Sequence, residues 1–121
     1  MAYKHNTVEY GFGQMGSVFS DTTGAITPPA NKVFVAITML ADTVFNSTNG
    51  LVADNDITSG IEYAGTDTAA HNLSVASETT SSGGGGVIVD VSNTFPKGIT
   101  IYGRWTKINP ASGLIIAYIG D

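Results

Sequence analysis

"KVFVAITML", residues 32–40, is the stretch on which the fold turns. Its apolar side chains fill both alternating sets: Val33, Val35, Ile37 and Met39 in one, Phe34, Ala36 and Leu40 in the other. An extended chain sends successive side chains to opposite faces. A strand apolar in both sets is therefore covered above and below and belongs in the middle of a sheet. The two prolines of "TPPA" just before it remove backbone donors and fix φ, which ends whatever precedes. After it, "NSTNGLV" contains Asn49-Gly50, a pair that accepts the positive φ of a type I′ turn. That pair predicts a hairpin, with the chain returning through residues 51–53.

The last third repeats the β signal. In "ITIYGRWTKI", residues 99–108, Ile99, Ile101 and Trp105 share one face with Gly103 between them. Thr100, Tyr102, Arg104 and Thr106 share the other, the alternation of a half-buried strand. "VIVDV", residues 87–91, predicts another strand with Asp90 interrupting one face, and "SNTFPKG" connects the two. "NPASG" has proline and glycine where a turn needs them, and "LIIAYI" closes the chain as an inner strand. Residues 54–86 are rich in Asp, Thr, Ser, Ala and Gly, and their short apolar pieces, "IEYA" and "LSVA", predict weak or edge strands between long loops. The four glycines of "SSGGGGV" suit a tight turn or a loop lying against another backbone. No window keeps a helical i, i+3, i+4, i+7 stripe. The expected fold is all-β: a single-domain antiparallel β-sandwich or jelly-roll-like domain over residues 20–121, with residues 1–19 as an N-terminal arm or first strand.

At 121 residues the chain is one domain, and a 42% hydrophobic fraction supplies one core. Charged residues make up only 12%, about half of the roughly 25% usual for soluble domains. The exterior is then mostly neutral polar groups, which repel their own copies weakly and make close-packed assembly easy. The net charge is −5 and the five basic residues, Lys4, Lys32, Lys97, Arg104 and Lys107, are scattered. Nucleic-acid binding draws on clustered Lys and Arg, so a nucleic-acid partner is not expected. The absence of cysteine excludes disulfides, thiolate metal sites and a cysteine nucleophile. The first six residues are too polar for a signal peptide. "LIIAYI" is far shorter than the roughly 20 residues a bilayer needs, so a soluble chain with no membrane partner is expected.

"GFGQMG", residues 11–16, spells the G-x-G-x-x-G of a dinucleotide loop. That motif works only between a strand and a helix whose N-terminal N–H groups hold the pyrophosphate. Here a proline-broken, strand-like segment follows it, so the glycines are read as permitting a bend in an N-terminal strand or arm. Asp54, Asp56 and Thr58 have the one-three-five spacing of a calcium loop. Ser59 stands where that loop needs glycine, and Gly65 where it needs glutamate. His5 and His71 have no partner at ligand spacing, and no serine sits in G-x-S-x-G. Asp90, Glu62 and Glu78 are acids that the sequence cannot bring together in pairs. Asn46-Ser47-Thr48 and Asn72-Leu73-Ser74 match the glycosylation acceptor by composition alone. No catalytic residue, metal or cofactor is expected.

The aromatic residues are more informative. Phe34 and Trp105 are expected in the core. The tyrosines then line its rim; the other reading is that Tyr3, Tyr10, Phe12, Tyr102, Trp105 and Tyr118 offer rings on which a sugar could stack. Tyr102 and Arg104, on the polar face of a strand, are residue types enriched at protein interfaces.

"TPPANKVFVAITMLADTVF" and "SNTFPKGITIYGRWTKINPASGLIIAYIG", under half of the chain together, resemble small proteins encoded among the virion genes of tailed bacteriophages of aquatic bacteria, cyanobacteria included. The resemblance implies a β-rich, non-enzymatic virion component at the capsid surface, such as a head decoration or cement protein. Its partners would be the major capsid protein or other virion subunits, and a homo-oligomer is left open. The expected contacts are the arm within residues 2–19, with Tyr3, Lys4, His5, Tyr10 and Phe12, and the outer strand face with Tyr102 and Arg104. The alternative is a tail or fibre module that binds a host-surface glycan.

Overall fold

The computed structural model describes residues 15–22, 24–54, 63–66 and 87–121. Among these the chain is all-β, with no helix. Its strands are β1 (Ser17–Ser20), β2 (Val33–Met39), β3 (Val44–Phe45), β4 (Leu51–Ala53), β5 (Thr100–Ile108), β6 (Pro110–Ser112) and β7 (Ile115–Gly120). Five form an antiparallel sheet in the order β1-β7-β2-β5-β4, and β3 pairs with β6 in a second, two-stranded sheet. The doubly apolar stretch thus lies at the centre of the larger sheet.

Strict alternation fails inside β2. Phe34 faces Trp105 on β5 and Ile119 on β7, whereas Ala36 faces Tyr102 and Tyr118. Between these pairs β2 advances two residues while β7 advances one, so Val35 is an extra residue, a β-bulge. The bulge turns Phe34 and Ile37 to the same side. Both are fully buried, in one cluster with Met39, Phe45, Leu51, Trp105, Ile108, Ile115, Ala117 and Ile119. A second register shift, between Val52 and Ala53, lets β5 bury both Trp105 and Ile108, which strict alternation would put on opposite faces. Each large side chain buried in this way stabilises the fold by about 1.5–3 kcal/mol over leaving it exposed.

As far as Trp105, β5 keeps its expected alternation, and Gly103 has a clear purpose. A Cβ there would lie 2.7 Å from Cζ2 of Trp105, so the missing side chain is the space that the indole occupies.

Three sequence expectations change. Residues 87–91 form no strand: 87–90 are irregular and a turn follows, with Val87 70% and Val91 54% exposed. Val89 N–H donates to the Gly65 carbonyl, and further along Phe95 bridges to Thr43, with its ring edge-on against Phe45 at 5.3 Å. "NPASG" contains the strand β6, which supplies the partner for β3. Asn49-Gly50 turns the chain but makes no hairpin, because the strands on either side of it, β3 and β4, enter different sheets. Asn49 has φ +58°, while Gly50 is absent from the positive-φ residues and serves for closeness: a Cβ there would overlap the backbone of Asn46.

The segment 63–66 is no strand either, yet it closes the outer edge of β4. Thr66 N–H donates to the Leu51 carbonyl at 2.8 Å, and Thr66 Oγ1 accepts from Leu51 N–H at 2.9 Å. Covering an edge this way removes a template for unwanted strand pairing.

Candidate functional site

One face of the five-stranded sheet packs on the core. The register sets out the other in rows. Thr100, Thr38, Ile116 and Phe19 are partners across β5, β2, β7 and β1, and the Thr38 and Thr100 hydroxyls hydrogen-bond at 2.8 Å. The next row runs Tyr102, Ala36, Tyr118 and Ser17. Beyond the threonine row, Leu40 N–H donates to the Leu114 carbonyl, which extends the face with two leucines. Phe19 is 57% exposed, Tyr102 61%, Leu40 41% and Leu114 36%, while Ala36 is fully buried in the register position between the two tyrosines. These rows hold aliphatic, aromatic, Ala, Ser and Thr side chains and no charge.

The charges lie at one end of the face. Arg104, next in alternation after Tyr102, donates from its Nε to Asp54 at 3.4 Å and from Nη1 to the backbone carbonyl of Asp121 at 2.8 Å. Lys32 pairs with the Asp121 carboxylate. These contacts tie the ends of β2, β4 and β7 to the middle of β5. Arg104 is thus already engaged within its own chain, and Tyr102 is the more exposed of the two residues expected at an interface. Tyr3, Lys4, His5, Tyr10 and Phe12 lie outside the described residues, as do His71, Asp56, Thr58, Ser59, Glu62, Glu78 and Asn72.

The remaining candidates resolve into local structure. Gly16, the last glycine of "GFGQMG", has φ +99° and its carbonyl accepts from Ile119 N–H at 2.9 Å. It bends the chain into an edge strand, and no helix follows. Asp90 caps a turn: Ser92 donates its hydroxyl and its backbone N–H to the Asp90 carboxylate. Those donors, the hydroxyl first, hold the Asp90 carboxyl below its ordinary value of 3.8. Asn46 donates its side-chain amide to the Asn109 carbonyl at 3.0 Å, which occupies the group a glycan would need. Among the described residues no three His, Cys, Asp or Glu side chains gather as metal ligands.

Phe19, Ile116, Leu40 and Leu114 escape notice in the sequence as parts of a surface. Phe19 and Ile116 come together only because β1 pairs with β7, a connection of about a hundred residues that no local pattern encodes. Comparison with protein families, curated proteins and solved structures finds no match to this chain.

Proposed function

We propose that this chain is a non-enzymatic structural subunit of a virion, a decoration or cement protein that binds neighbouring coat subunits at the capsid surface. The observation that carries the reading is the uncharged face with Phe19 and Tyr102 more than half exposed on a rigid sheet. Exposed aromatic side chains on an uncharged face suit an interaction site, and exposed tyrosine is a favoured anchor in one. The low charge of the chain and its resemblance to phage virion proteins support the same reading. Its mechanism is adhesion: joining coat subunits adds contacts that must break before the shell separates, and many weak contacts on one particle reinforce each other.

The test is attachment of the full chain to heads of the phage that encodes it, with cryo-electron microscopy of the particles. Density for this chain over coat-subunit junctions, and weaker attachment of Tyr102→Ala with an unchanged circular dichroism spectrum, is the expected result. Deleting residues 1–10 is expected to abolish attachment in the same assay. A chain that is absent from particles and fails to bind heads overturns the reading.

The row Tyr102–Ala36–Tyr118 favours a second reading, a tail or fibre module that stacks a host-surface sugar across two rings. Binding on a glycan array that Tyr102→Ala removes is what would select it.

A further inference from the structure

We infer that the outer edge of β1 pairs with β1 of a second copy of this chain, antiparallel about a two-fold axis at Val18, so that two sheets join edge to edge. The inference goes beyond the virion reading: it uses the backbone of an edge strand and holds whatever larger assembly the chain enters.

The hydrogen-bond phase of β1 sets the edge. Ile119 N–H donates to the Gly16 carbonyl at 2.9 Å, one step before the register pairs that run from Ser17–Tyr118 to Ser20–Ile115. Bonded and non-bonded positions alternate along an antiparallel pair. Val18 and Ser20 therefore turn their backbone groups to β7, and Ser17 and Phe19 turn theirs away from it. No described residue bonds the backbone of Ser17 or Phe19. Gly16 at φ +99° and Thr22 at φ +78° bend the chain on either side, so Ser17 and Phe19 are the whole of this edge.

The opposite edge of the sheet is shut. On β4, Leu51 donates its N–H to Thr66 Oγ1, and its carbonyl accepts from Thr66 N–H. Copies therefore cannot join β1 to β4 head to tail, a contact that would run on into a filament. The edge pairing left to them is β1 on β1, which is isologous and closes at two. Most devices that keep an edge from its own copies are missing: β1 has no lysine, no proline, no bulge and no charge. Its guard is its short length.

The strand also fits itself. One register, Ser17 on Phe19 with Val18 on Val18, sets both outward residues of each copy against both of the other. Each Ser17–Phe19 pair then exchanges N–H and carbonyl bonds in both directions. The small Ser17 lies beside the Phe19 ring, which is 57% exposed. On the other face Val18 meets Val18 at a non-bonded position, where side chains stand closest. Val18 already packs against the core cluster, so the pair carries one core on into the next. Asp21 is the charge beside the strand. In this register the two copies of it fall about 20 Å apart, at about 3.4 Å per residue, beyond the screening length of about 8–10 Å.

Length sets the strength. Strands of four residues bury well under the roughly 1,000 Å² of a stable interface. The pair is therefore weak, with a Kd of about 0.1–1 mM, and tightens where copies are held side by side.

The test is amide exchange of the full chain by NMR at about 50 μM and at about 2 mM, on either side of that Kd. Exchange at Ser17 and Phe19 should slow about two- to fivefold at the higher concentration, as the paired fraction rises. Val18 and Ser20, already bonded to β7, should not change. Sedimentation equilibrium over the same range should show a dimer. Its Kd should rise at least about tenfold in Ser17→Lys, which sets like charges across the axis, and in Phe19→Pro, which removes an outward N–H and leaves the bonds to β7 in place. Val91→Lys, exposed but off β1, should leave the Kd unchanged. Should a variant misfold, the exchange pattern of the natural chain decides. A monomer up to about 2 mM, or a dimer in which Val18 and Ser20 change as much as Ser17 and Phe19, overturns the inference. Protection of Ser17 and Phe19 that ignores concentration also overturns it, because the chain's own residues then cover the edge. Protection that comes only with added phage heads does so too, by making a coat strand the partner. A monomer that still binds heads defeats the pairing alone and leaves the virion reading standing. A β1 dimer that ignores heads upholds the pairing and defeats the virion reading.

Discussion

Trp105 donates its indole N–H to the carbonyl of Ala64 at 2.7 Å, and so fastens the segment 63–66 over the outer edge of β4 from inside the core. Trp105→Phe keeps a ring in the core but leaves that carbonyl without this donor. The expected loss is about 1–3 kcal/mol, the cost of an unmade buried hydrogen bond, read by urea denaturation with circular dichroism. Amide exchange at Thr66, whose N–H bonds to Leu51, should accelerate in the same variant.

The turn at residues 46–50 separates two uses of an Asn-Gly pair. Gly50→Ala would drive a Cβ into the Asn46 backbone, and backbone cannot swing aside as a side chain can. A loss of about 1–3 kcal/mol or more is expected. Asn49→Gly should cost less than Gly50→Ala, because Asn49 already sits at φ +58° where glycine is at ease. Thermal melts of the two variants would distinguish them, and equal losses would contradict this account.

The same pair shows where the sequence was legible. Residues 32–40 announce a central strand because both alternating sets are apolar, and residues 99–108 announce a half-buried one. Local chemistry also marks the turn at Asn49-Gly50. What it cannot say is which strands the turn joins, since β4 is claimed by β5, some fifty residues later. The bulge at Val35 is silent for the same reason: it exists because Phe34 and Ile37 both gain a place in the core. "VIVDV" misleads because its valines promise a strand, while the Asp90–Ser92 turn within it satisfies the backbone locally. The exposed face was half legible, through Tyr102 on the polar side of its strand.

Asp90 gives a pH dependence of known sign. Its folded carboxyl is held below 3.8 by Ser92, so its contribution to stability is complete above the unfolded value and disappears as pH falls through the folded one. The difference between the natural chain and Asp90→Asn should be largest near neutrality and shrink below pH 3.8. Ser92→Ala should move the Asp90 carboxyl up towards its ordinary value in an NMR titration. Asp90 is fully exposed, so the whole effect on stability is small.

Arg104 and Tyr102 sit on the same side of β5 and should respond in opposite ways. Arg104 and Asp54 keep side-chain exposures of 36% and 44%, so water screens their attraction. A double-mutant cycle of Arg104→Ala with Asp54→Ala should return a coupling of only about 0.2–1 kcal/mol. That coupling should fall further at about 1 M salt, where the screening length is about 3 Å. Tyr102→Ala should leave the melting temperature nearly unchanged, because most of its ring already faces solvent. Its loss should instead be felt in attachment to a partner, where burying the ring removes apolar surface from water. A variant at Arg104 that abolished attachment while its fold and salt response stayed intact would shift the contact from the apolar rows to the charged end of the face. The proposed order of the two residues would then be reversed.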